Sequence, residues 1–195
     1  MDKYVLLTDD TIVVKKGRKK HTLYRIQAIR DIPKAYVKAG DLGGYIESTY
    51  NLSQDGHCWI YCEAQVFGDA RVDDDAHVHG LVQIFDNARV FGNAVIHHHA
   101  KIYGHAKVFG RARVFDYAEI YDFAMVFGNA CIHSKAKIFG QAWVYGSTKI
   151  YGDAWVYDIA CVFGRARVHG KARIHGDVWL HGNINAYDDI IMKYS

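Results

Sequence analysis

The sequence predicts an all-β protein, a parallel solenoid of short strands wound into a triangular coil, and three observations carry that prediction. A six-residue period runs without a slip from residue 58: every sixth residue from Ile60 to Leu180, 21 positions, is Val, Ile or Leu. Two places before each stands a second small residue, alanine at 17 of the 21 positions from Cys58 to Val178. Two places after each aliphatic residue comes glycine at 13 positions and aspartate at five.

Each column has a physical reason. In a strand, residues i and i+2 share a face, so Ala-x-Val turns a small and a branched side chain inward with the residue between them outward. A helix with 3.6 residues per turn could not keep one face apolar at period six. Glycine tolerates a positive φ without steric cost and aspartate tolerates it better than most, which suits a sharp corner. Three strands make an 18-residue coil. Stacking at about 4.8 Å, seven coils form a rod on the order of 34 Å long.

Composition narrows the class. A chain of 195 residues makes one domain, or one with a small appendage. Half of it is hydrophobic and 23% is charged, which argues against disorder. No apolar run approaches the roughly 18–20 residues of a bilayer span, and no signal peptide is expected at the charged Met1-Asp2-Lys3 start. Cys58, Cys62, Cys131 and Cys161 lack paired metal-binding spacing and read as reduced thiols of a cytoplasmic protein. A net charge of +3 is too small to announce a nucleic-acid binder.

Residues 1–50 fall outside the hexads and are expected to cap the first coil, whose open sheet edge would otherwise invite aggregation. Segments 3–7, 11–14 and 22–26 read as short strands, with turns at Asp9-Asp10 and Gly17. The basic cluster of Lys15, Lys16, Arg18, Lys19, Lys20 and His21 reads as a solvated turn. The solenoid is expected over 51–186 and a short C-terminal cap over 187–195.

The unit Val66-Phe67-Gly68-Asp69-Ala70-Arg71, the segment Tyr24-Arg25-Ile26-Gln27-Ala28 and the run Gly40-Asp41-Leu42-Gly43-Gly44-Tyr45-Ile46-Glu47-Ser48 resemble the hexapeptide-repeat β-helices of the YdcK type, found in bacteria and in phage or prophage genomes. The glycine follows the aliphatic residue by two places rather than one, with an aromatic between. The resemblance implies a left-handed single-stranded parallel β-helix and leaves function open, because this scaffold hosts acyltransferases as well as proteins without chemistry. It also suggests a homo-oligomer, dimer or trimer, and the role of a phage-encoded inhibitor of a host defence system.

An unbroken register lets the outward faces be written down. On the third face Phe91, Phe109, Met125, Phe127, Trp143, Tyr145, Cys161, Phe163 and Trp179 form an apolar strip, read as the oligomer or partner surface with Trp143 and Trp179 as anchors. Other aromatics read as ladders of rings stacked 18 residues apart. His77, His79 and His97 could be drawn as a zinc site, but histidine alternates with Phe and Tyr in the ladder slot, so no metal and no cofactor is expected. If the chain were an acyltransferase, the general base would come from His98, His99 or His105. No insertion interrupts the hexads to wall off such a site, so the favoured reading is a non-catalytic scaffold acting through protein–protein contacts. Lys107, Arg111, Arg113, Lys137, Arg165, Arg167 and Arg173, interleaved with aromatics, are candidate phosphate contacts in a second alternative, nucleic-acid or nucleotide binding.

Overall fold

The computed structural model describes residues 2–188 and 191–192. Each hexad contributes a strand of two or three residues, from Trp59–Ile60 to Asn185–Tyr187, and each pairs in parallel with a strand 18 residues away. Lys107 and Val108, for example, face Met125 and Val126. Three sheets result. The first face begins at Trp59–Ile60 and holds eight strands, and the third begins at Arg71–Val72 and holds seven. The second runs through Gln65–Val66 and continues into the N-terminal strands, 11 strands in all.

The chain thus forms a parallel β-solenoid of about eight turns, one more than the hexad count. Tyr45 and Ile46 already pair in parallel with Gln65 and Val66, so the Gly-Gly run opens the coil before the hexads begin. Its glycines are required by contact: a Cβ on Gly44 would lie 2.5 Å from Ala64 O, and one on Gly43 2.5 Å from an Ile26 side-chain carbon. At the other end Ile191–Met192 pairs with Arg173–Ile174, while the rest of the expected cap after Asp188 lies outside the described residues. No helix among the described residues is long and apolar enough to cross a membrane.

Inside, all 21 aliphatic residues are at most 1% exposed, and so are their alanine partners. Between coils the odd residues of each hexad donate: Lys107, Phe109 and Arg111 N–H bond to Ala124, Val126 and Gly128 carbonyls at 2.9, 3.0 and 2.7 Å. All 21 corner residues, including Cys62, His98, Ser134 and the five aspartates, have positive φ. The aspartates do more than tolerate the corner. Asp74, Asp86, Asp116, Asp122 and Asp158 each accept the corner N–H of the next coil, from Gly92, Gly104, Ser134, Gly140 and Gly176, at 3.0–3.3 Å.

The N-terminal region departs from the expected three short strands. β1 (Tyr4–Lys16) and β2 (Lys19–Ala28) form one long antiparallel hairpin, and β2 pairs with β3 (Leu42–Ile46). Asp9-Asp10 makes a bulge rather than a turn, because the Asp10 carboxylate is held by Arg25 Nε at 3.1 Å and Tyr45 OH at 3.0 Å. The turn at Gly17 is as expected, with φ of 58°. Tyr4, Ile26, Ile32 and Leu52 join the coil's core and plug its end. Trp59 precedes the aliphatic Ile60 and so stands at an outward place in its hexad, yet it is fully buried beneath Tyr4, ring to ring at 6.2 Å.

Beyond β3 the hairpin lies across the outside of the second face. Leu23 is buried with Tyr45, Phe67 and Phe85, and Ile12, Val14 and Tyr103 pack around them. The basic cluster at the tip divides accordingly. Lys16 sits 3.7 Å above the Phe85 ring and bonds Asp86 at 2.5 Å, and His21 is buried against Glu47 at 2.9 Å, while Lys15, Arg18, Lys19 and Lys20 face solvent. Burial alone would raise the Glu47 pKa, but the Gly68 N–H at 2.7 Å and His21 outweigh it and hold the carboxyl below its usual range.

Two expectations follow. Val126→Asp places an unpaired charge among side chains with no access to water, and the variant will show no cooperative melting transition by circular dichroism. The second concerns acid. A carboxyl with a depressed folded pKa contributes stability above its unfolded value of about 4.3 and loses it as pH falls through the folded value. Amide exchange at Ile12, Val14 and Leu23 will therefore accelerate below about pH 4 before the coil itself opens, and Glu47→Gln will weaken that acid dependence.

Candidate interaction surface

The third face carries two apolar columns with different environments. Phe91, Phe109, Phe127, Tyr145 and Phe163 occupy the place after the aliphatic residue and stack with centroids 4.8–5.0 Å apart and planes within 7°. Each ring covers its neighbour, so all five are half-buried. The strip expected from the sequence is therefore largely a ladder that satisfies itself, and its rings are not free anchors.

The place before the aliphatic residue behaves otherwise. Here Met125, Trp143, Cys161 and Trp179 follow one another along the axis, with Trp143, Cys161 and Trp179 in direct strand register. Indoles are too wide to stack coil on coil with a thiol between them. Trp143 and Trp179 remain 48% and 68% exposed and close over Cys161, which is 9% exposed. Trp179 meets Phe163 edge-on at 6.3 Å instead of extending the ladder. Burial pushes the Cys161 thiol pKa up against a weaker opposing pull from Tyr145, so the sulfur is a packed apolar atom rather than a nucleophile.

Two residues not singled out from the sequence complete this surface. Ile159 is 52% exposed and Phe123 60%, each three places before an aliphatic residue and hence on the corner beside the indole column. Gln141, Trp143, Tyr145, Ile159, Cys161, Asp177 and Trp179 line a groove of about 340 Å³. The signal was legible in the hexad position just after the corner, where Phe123 and Ile159 stand 36 residues, two coils, apart.

The other candidate residues are distributed rather than gathered. His98, at a positive-φ corner, bonds Asp116 at 3.1 Å; His99 stacks on Tyr117 and His105 on Phe123, both at 4.8 Å. The Lys101–Ile102 strand separates His105 from the other two, so the three do not converge. His79 stacks on Tyr61 at 4.0 Å, His77 lies beside both at 5.8 and 6.1 Å, and His97 stacks on Phe115 at 4.7 Å. Tyr61 OH donates to Ala35 O at 2.8 Å, so His77 Nδ1 donates to the hydroxyl at 2.7 Å. Burial, with His77 and His97 nearby, lowers the His79 pKa to about 4. Among the described residues no three histidine, cysteine or acidic side chains gather in a metal-binding group.

The basic residues are likewise spread over all three faces and their corners. Arg113 and Arg167 lie on the first, Lys137 and Arg173 on the second and Lys107 on the third, with Arg111 and Arg165 at corners. Lys137 pairs with Glu119 at 3.4 Å, and Arg173 lies 4.2 Å over the Trp155 ring while donating to three backbone carbonyls.

Comparison with known proteins agrees with this architecture. The family described as YdcK Beta solenoid repeat matches twice, over residues 64–80 and 82–98, the coils whose Phe67 and Phe85 lie beneath the hairpin. No curated protein matches the chain. Over those two stretches the chain is similar to YdcK-type repeats, and the chain as described is a parallel β-solenoid.

Proposed function

We propose that the chain is a non-catalytic binding scaffold that acts through protein–protein contacts, and that its contact surface is the indole flank of the third face. The observation that carries this reading is the pair of exposed tryptophans, Trp143 and Trp179, beside an apolar groove with a polar rim of Gln141 and Asp177. Tryptophan is enriched among the residues that anchor interfaces, where it fills desolvated pockets. A projecting ring and a hollow on one face are also self-complementary, the arrangement that a twofold contact between copies requires. The occupant we favour is a second copy of this chain. The role suggested by the resemblance, a phage-encoded inhibitor of a host system, would place a host protein on the same surface.

Trp143→Glu combined with Trp179→Glu will lower the mass measured by light scattering to that of one chain and leave the circular dichroism spectrum and melting temperature close to the parent's, since neither ring supports the core. A monomeric parent, with no partner captured through this face, would remove the reading. The enzyme alternative is tested separately. Alanine at His98, His99 and His105 together will leave the biological activity within a few-fold of the parent, whereas loss of a general base costs about 10²–10⁴-fold.

A further inference from the structure

At the sealed N-terminal end of the coil two nucleophilic side chains meet. Cys58 heads the column of small inward residues, and Lys3 reaches it from the segment before β1. Both residues are fully buried. Lys3 Nζ lies 2.9 Å from Cys58 O, 3.2 Å from Asp55 O and 3.2 Å from Cys58 Sγ. Among the described residues no carboxylate pairs with this lysine, which is an unusual arrangement for a side chain that rarely loses all contact with water. Burial lowers the amine's pKa and raises the thiol's, against the opposing pull that each group exerts on the other. Nζ donates to both carbonyls and to Cys58 Sγ, so the nitrogen and the sulfur are in direct contact.

We propose that Lys3 and Cys58 are a modification site, where dioxygen converts the pair into a covalent bridge in which one oxygen atom joins the lysine nitrogen to the cysteine sulfur. The step balances. The amine gives up one N–H hydrogen and the thiol its S–H hydrogen; one oxygen atom forms the new N–O and S–O bonds, and the other leaves with both hydrogens as water. Nitrogen and sulfur are each oxidised by two electrons, and dioxygen takes up all four. Dioxygen is small and apolar, suited to a site closed to water. A thiol reductant supplying four electrons restores the amine and thiol and releases the bridging oxygen as water.

The bridge would close a loop from residue 3 to residue 58 and tie β1 covalently to the first coil. A cross-link of that span restricts the denatured chain, so the oxidised protein would melt at a higher temperature.

The test uses the full chain, held in aerated buffer or kept anaerobic with dithiothreitol, and reads intact mass. The aerated protein is expected to gain about 14 Da, one oxygen gained and two hydrogens lost. Proteolysis should place the gain in a linked pair of peptides carrying Lys3 and Cys58, dithiothreitol should reverse it, and the melting temperature should fall by several degrees on reduction. Cys58→Ser will abolish the gain. Because the peptide map is made on the unsubstituted chain, it decides the question even where a variant folds poorly. An unchanged mass after aeration overturns the proposal, as does a gain of about 16 or 32 Da confined to Cys58, the mark of ordinary sulfur oxidation.

Discussion

A positive-φ corner at every sixth residue is the constraint on which the rest of this structure depends. Two-residue strands bury little by themselves, and they close into a triangle only because the backbone reverses its curvature at each corner. Glycine meets that demand by lacking a Cβ. The five aspartates meet it chemically as well, since each carboxylate accepts a corner N–H of the following coil that the backbone ladder leaves over. Where corners are glycine from Gly92 to Gly182 along one edge, successive corners pack so closely that a Cβ on Gly110 would lie 3.0 Å from Gly128 N. The corner thus sets both the turn and the distance between coils, and inward alanine leaves room for the branched residue beside it.

With the inside settled by this rule, the outside is free to vary, and the chain uses it in three ways. Rings of matched size stack into ladders, as from Phe91 to Phe163. On the first coils of the second face the ladder is covered by the hairpin, which turns Phe67 and Phe85 into a second small core. Beside the third-face ladder, side chains that cannot stack remain open, and there Trp143 and Trp179 project. Stacked, covered and open surfaces differ by a single position in the hexad or a few coils along the axis.

Most of the solenoid could be read from the sequence because its determinants are local: Ile60 to Leu180 and the small residues before them repeat in phase, and the corners repeat with them. What could not be read depends on contacts between distant segments. Nothing near Asp9-Asp10 reveals that Arg25 and Tyr45 will hold one of those carboxylates and turn an apparent turn into a bulge. Alternation at Ile12 and Val14 shows that one side of the strand is covered, yet the solenoid rings it covers, Phe67 and Phe85, stand more than 50 residues later. Trp59 occupies an outward position and is buried only because Tyr4 returns over it. The strip on the third face was found as a set of residues, but its division into ladder and open flank follows from ring width, which period alone does not weigh.

The equality of one coil with three hexads makes changes in chain length discrete. Losing one residue within the repeat would exchange inward and outward positions in every later coil, and losing two would take glycine and aspartate off the positive-φ corners, so such changes are incompatible with the fold. Losing one hexad keeps the core in phase and turns all that follows by a third of a revolution, which would carry Trp143 and Trp179 onto a neighbouring face without disturbing their surroundings in sequence. Only gains or losses of 18 residues preserve both core and surface. Duplication and deletion can therefore lengthen or shorten this rod in whole coils, and a shift by one hexad would give a chain of nearly unchanged composition a differently arranged exterior.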